Sequence, residues 1–173
     1  MINIQFIEIL RTLNRHDVRY VVIGGIAAIL WGSDHVTNDI DICYDRRTEN
    51  LHALVAALHE LEARLRGFPD GLPQFIDERT FRLGDAMTFT TKYGSFDCLG
   101  SPAGTSGYAQ LRAAATVMSI ASGVDAPVAS IDDLIKMKRT AGRVKDIALV
   151  EQLKRLKQIR EDMTTRGETP AGE

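Results

Sequence analysis

The sequence predicts an α/β (α+β) fold in which helices and strands interleave around one mixed sheet. Three observations carry this. VRYVVIGG, from Val18, is a β-branched apolar run that stops at a glycine pair. NDIDICYD, from Asn38, alternates polar and apolar residues as a half-buried strand does. TENLHALVAALHELEARLR, from Thr48, sets Leu51, Leu54, Val55, Leu58, Leu61 and Leu65 on one helical stripe behind a capping-box-like Thr48.

The remaining elements follow in order. Ile4, Ile7, Leu10 and Leu13 recur at helical spacing, which predicts an amphipathic helix over residues 3–15. IAAILWG reads as a short helix stopped by Gly32. GFPDGLPQ breaks regular structure, and residues 66–85 show no clean period. AMTFTTKYGSFDCLG reads as two strands turning near Lys92-Tyr93-Gly94-Ser95. SPAGTSG, residues 101–107, is a loop, and RAAATVMSIASGVDAPVAS forms a further hairpin around Gly123. Ser130 with Asp133 has the form of a helix N-cap with an acid at its third position, opening IDDLIKMKRTAG. VKDIALVEQLKRLKQIRED is a final helix. Residues 1–129 thus form a core, 130–163 a helical segment packing on it, and 164–173 a disordered tail.

A chain of 173 residues can bury a core without staples. Only Cys43 and Cys98 are present, with no metal-ligand spacing, and no apolar run reaches membrane-spanning length, so a reduced, cytoplasmic protein is expected. The net charge of −2 excludes a global polycation, but Lys136–Arg160 holds nine bases against two acids. That stretch is either a solvated helix face or a cradle for polyphosphate or RNA.

Asp39 and Asp41 pose the chemical question. Side chains of a strand alternate, so both acids share one face, roughly 7 Å apart along the strand, while Ile40 and Ile42 enter the core. Such a pair either lies on a solvent-facing edge or converges on hard cations, two of which about 3.5–4 Å apart clamp phosphoryl transfer. Gly24-Gly25, at the end of the preceding strand, lets backbone approach a phosphate. A glycine pair followed fourteen residues later by DxD sets a phosphate cradle beside a metal site.

GGIAAILWGSDHVTNDIDI resembles the signature of the DNA polymerase β-like nucleotidyltransferase superfamily: a Gly-Gly or Gly-Ser pair, a short helix, then a DxD strand. The resemblance implies a nucleotidyltransferase core and a third carboxylate on a later strand. Asp97, between apolar Phe96 and Cys98, matches best, whereas Asp77 and Asp85 lack that setting. Carried over, Asp39, Asp41 and Asp97 hold two Mg²⁺ ions, with Mn²⁺ as the alternative. Asp97 serves as or assists the base for the incoming hydroxyl, and Gly24 and Gly25 bind the NTP donor.

Lys138, Arg143, Lys145 and Asp146 cluster around Gly142 at a helix–helix junction, where cations can face a triphosphate and its leaving pyrophosphate. This segment is similar to the end of the AbiEii-like nucleotidyltransferases, toxins of type IV toxin–antitoxin systems. That likeness implies that Lys138, with Lys136 as competitor, contacts nucleotide phosphates and that Asp146 supports the site. It also implies a tRNA 3′ end as acceptor and a cognate antitoxin as partner. The chain departs from those toxins in its shorter Lys138–Asp146 interval, in Leu149 where a second acid often follows, and in lacking their larger helical domain. Antitoxin-type enzymes that AMPylate a protein toxin, enzymes that adenylylate antibiotics, and a non-catalytic nucleotide-binding module are the alternatives. Thr37 and Ser33, in the loop before Asp39, are read as candidate phosphate contacts, with a residue that merely opens the strand as the other reading of Thr37; in related toxins a hydroxyl at the Thr37 position can be modified to silence the enzyme. Cys43 and Trp31 are read as packing residues.

Overall fold

The computed structural model describes residues 4–69 and 73–167. Its strands are β1 (Tyr20–Ile23), β2 (Asp39–Tyr44), β3 (Arg64–Leu65), β4 (Ala86–Thr91), β5 (Gly94–Leu99), β6 (Thr116–Ala121) and β7 (Val124–Val128). Its helices are α1 (Ile4–Arg15), α2 (Gly24–Leu30), α3 (Thr48–Glu60), α4 (Glu78–Leu83), α5 (Tyr108–Ala114), α6 (Ile131–Ala141) and α7 (Ile147–Thr165), with a 3₁₀ turn at Val144–Asp146. The strands form one mixed sheet in the order β3-β4-β5-β2-β1-β7-β6. β2 runs antiparallel to β1 and parallel to β5, so the two strands carrying the candidate acids are direct neighbours.

Side-chain alternation explains the layering. Ile40, Ile42, Phe96 and Cys98 are fully buried on one face of β2 and β5. There Phe96 meets Phe89, Phe89 meets Phe81, and Phe81 stands edge-on to Tyr44 with ring centroids 5.3 Å apart. β1, buried at every residue, lies between β2 and β7. The two hairpins turn where expected, β4–β5 through Gly94 and β6–β7 through Gly123, both with positive φ. The N-cap of α6 is as read: Ser130 accepts from the Asp133 N–H, and Gly142 closes the helix in the left-handed region.

Several elements differ from the sequence reading. The Thr48 helix ends at Glu60, because Glu62 turns left-handed and the Ala63 N–H closes onto the Leu58 carbonyl. The chain then re-enters the sheet as β3, which removes Leu65 from the helical stripe. Thr48 is the first helical residue and caps nothing; instead Asp45 accepts from the Arg47 N–H. A six-residue helix, α4, stands where no period was visible, opened by a capping box between Asp77 and Thr80. Residues 112–114, read as the start of a hairpin, instead belong to α5. Helix α7 runs to Thr165, and residues 168–173 of the expected tail lie outside the described residues.

Candidate active site

The parallel pairing of β2 with β5 sets Asp41 opposite Asp97 and Asp39 opposite Ser95. Because 39, 41 and 97 share strand parity, their carboxylates leave the same face, and one oxygen from each lies within 4.8 Å of the others. Three hard oxygen donors at that spacing suit a divalent cation of the Mg²⁺ or Mn²⁺ type. No other group of three His, Cys, Asp or Glu side chains among the described residues has this geometry.

Asp41 and Asp97 titrate abnormally in this half-buried place. Burial pushes the Asp41 carboxyl up to about 7, and the charges of Asp39 and Asp97 push in the same direction, while Lys138 and Arg143 oppose them. Burial also raises Asp97, against the pull of Arg66 and together with the repulsion of Asp39.

The glycine pair is explained by what stands in front of it. Gly24 has φ +68°, and a Cβ there would overlap the Asp41 carboxylate. A Cβ on Gly25 would lie 2.8 Å from the Thr37 Cβ and 3.1 Å from the His35 ring. Glycines are required here so that α2 can pass beside the acids and the loop before them. Thr37 donates to Asp39 Oδ1 at 2.5 Å and so fixes that carboxylate. Ser33 is buried, donating to Gln152 Oε1 at 2.7 Å and accepting from the His35 N–H, while Gln152 in turn donates to Asp34. Ser33 therefore ties the loop to α7.

Lys138, on α6, pairs with Asp146 at 3.1 Å; their side chains are 20% and 6% exposed. Asp146 Oδ2 is buried and accepts no hydrogen bond. These two residues, with Arg143 and Gly142, line a cleft of about 270 Å³. Lys138 and Arg143 act on the Asp41 carboxyl, so this cationic corner lies within electrostatic reach of the acids. Lys136 is exposed, since residues two apart on a helix do not share a face, and Lys138 is the one that faces inward. The Lys145 side chain lies outside the described residues. A larger open groove, about 420 Å³, between Trp31, Ile131 and Arg160 shares no residue with the site. Trp31 itself donates to the Ala129 carbonyl under the Arg160 guanidinium, a packing role as expected, and Cys43 packs with its thiol towards the Gly100 carbonyl.

One residue escaped the sequence reading. Arg66 Nη2 donates to Asp97 Oδ1 at 2.7 Å. It lies in the stretch without periodicity, and no local pattern marks it.

No protein-family model matches this chain, and no curated protein sequence matches it. Solved structures do. ANT(2″)-Ia, an antibiotic-resistance factor, aligns over 94% of this chain and 90% of its own at a TM-score of 0.59 and 14% identity. LnuA, a lincosamide antibiotic adenylyltransferase bound to lincomycin, aligns over 90% of this chain and 98% of its own at 0.58 and 14%. TM1012 of Thermotoga maritima, assigned as a nucleotidyltransferase, covers 88% and 94% at 0.56 and 16%. The chain has the mixed-sheet fold of these nucleotidyltransferases over nearly its whole length.

Proposed function

We propose that the protein is a metal-dependent nucleotidyltransferase that moves an NMP group from an NTP donor to an acceptor hydroxyl. The observation that carries this reading is the convergence of Asp39, Asp41 and Asp97 within electrostatic reach of the Lys138–Arg143 corner. The three carboxylates would hold Mg²⁺ or Mn²⁺, as one ion or two; when bound, the metal neutralises phosphate oxygens and stabilises charge in the transition state.

The chain's own groups supply the rest. Lys138 offers a point charge and Arg143 a planar fork to the donor phosphates, with Lys145 as a further cation. Asp146 holds the Lys138 ammonium in place. Thr37 orients Asp39, and Gly24 and Gly25 leave room for the acids and the donor alike. Asp97 accepts the proton of the acceptor hydroxyl. The oxygen–phosphorus bond to the α-phosphate forms as the bond to the β-phosphate breaks, and pyrophosphate leaves towards the cationic corner.

The acceptor we propose is a tRNA 3′ end in a toxin-like role, supported by the AbiEii-like C-terminal motif. A second reading, a hydroxylated antibiotic, is favoured by the near end-to-end likeness to ANT(2″)-Ia and LnuA. AMPylation of a partner protein, as an antitoxin, keeps the same donor chemistry. No helix among the described residues is long and apolar enough to cross a membrane. One incubation separates these readings: purified protein, each labelled NTP and Mg²⁺, with total tRNA, an aminoglycoside and lincosamide panel, or neither, and Asp39→Ala as control. Label on RNA, on the drug, or on protein identifies the acceptor. Label on none, with no tightening of NTP binding by Mg²⁺, refutes the enzyme and leaves a non-catalytic module.

A further inference from the structure

Arg66 continues β3 by one residue, its N–H donating to the Thr88 carbonyl at 2.9 Å. Thr88 lies opposite Asp97 on β5, and Asp97 lies opposite Asp41 on β2. Arg66, Thr88, Asp97 and Asp41 therefore stand in a row across four strands. The guanidinium spans Thr88 to reach Asp97, and its one other hydrogen bond among the described residues goes to the Phe89 carbonyl at 3.2 Å.

Among the described residues, Arg66 alone forms an ion pair with a carboxylate of the triad. The contact is a single one, through Nη2, and the side chain is 40% exposed at the rim of the sheet. The ion pairs at the buried Asp45 are built otherwise, whereas the exposed Arg46–Asp85 pair is single like that of Arg66. Asp45, 8% exposed, is held by both Arg19 and Arg47 and by the Arg47 N–H. A one-handed, solvent-facing pair on a candidate metal ligand has the form of a contact made to be released.

We propose that Arg66 is the exchangeable counter-cation of the triad: it offsets the clustered negative charge of the acids, and a divalent ion must displace or outcompete it at Asp97. This inference rests on the reading of the triad as a divalent-ion site. Its consequence is that Arg66 sets the ion affinity, acting as a positioning residue for Asp97 with no contact to the reacting atoms. The physical basis is repulsion between like charges competing for one carboxylate, which falls away when the guanidinium is neutralised.

The test is Mn²⁺ binding to the full chain, followed by electron paramagnetic resonance and calorimetry, in wild type, Arg66→Gln and Arg66→Lys. Arg66→Gln should bind Mn²⁺ more tightly by about tenfold, the order expected for removing one charge beside a divalent ion under solvent-like screening. Arg66→Lys, which keeps the charge, should stay near wild type. In the wild-type protein, Mg²⁺ should also shift the Arg66 Nε–H resonance, identified by its loss in Arg66→Lys. Equal or weaker Mn²⁺ binding by Arg66→Gln, or an Arg66 resonance indifferent to Mg²⁺, overturns this inference alone. A wild-type protein that takes up no Mn²⁺ overturns it together with the transferase reading.

Discussion

Replacing Asp41 with asparagine should stabilise the protein at alkaline pH in EDTA, although the substitution removes a residue at the heart of the site. The Asp41 carboxyl, ordinarily at 3.8, stands at about 7, raised by burial first and by Asp39 and Asp97 second. The folded chain therefore keeps a proton that the unfolded chain releases, and stability falls as pH rises from about 4 through 7. The full rise corresponds to about 4 kcal/mol, of which more than half is lost between pH 5 and 8. Asp97, shifted in the same direction, steepens the slope. Asparagine abolishes the titration but leaves a half-buried amide short of partners, a cost of about 1–3 kcal/mol. The net gain at pH 8 is then about 1–3 kcal/mol, and each kcal/mol moves Tm by about 2–4 °C in a chain of this length. Urea unfolding of both proteins at pH 5 and pH 8 reads it directly. An Asp41→Asn protein less stable than wild type at pH 8, or a wild type with flat stability across that interval, would refute the reasoning and make Asp41 a structural partner.

Other perturbations separate the roles of neighbouring residues. Gly24→Ala and Gly142→Ala both force alanine into a left-handed conformation, but only the first also meets a carboxylate, since nothing lies within 4 Å of the second. Gly142→Ala should cost about 1–2 kcal/mol by denaturant titration, and Gly24→Ala clearly more, with loss of Mn²⁺ binding. Lys138→Met strands the buried Asp146 charge and should cost about 3 kcal/mol or more; adding Asp146→Asn should restore much of it, while NTP affinity stays low in both. Gln152→Ala removes two hydrogen bonds to the loop of residues 32–38 and should cost about 1–2 kcal/mol, with faster proteolytic cleavage in that loop as the readout.

What could be read from the sequence was whatever repeats or alternates locally. Asp39 and Asp41 declared their shared face because a strand has period two, and Ser130 with Asp133 declared a helix start through its side-chain chemistry. β3 could not be read, because two residues have no period and Leu65 fitted the preceding helical stripe. Helix α5 was hidden by an alanine-rich stretch continuous with β6. Asp77 and Thr80 did carry a capping signal, but the helix behind them spans only six residues. The glycine pair was visible, yet its spatial reason was not, since Asp41 and Thr37 reach it through tertiary packing. Arg66 is the extreme case: its partner lies two strands away, and nothing in its neighbours' identities points there.

The amide of Gln152 deserves a last consequence. Through Ser33 and Asp34 it fastens the final helix to the segment that feeds into β2, although α7 offers no candidate ligand itself. A fragment cut after β7 would retain Asp39, Asp41 and Asp97 and still lose the brace that aligns their approach. The terminal helix is thus a strut for the segment that leads to the acids.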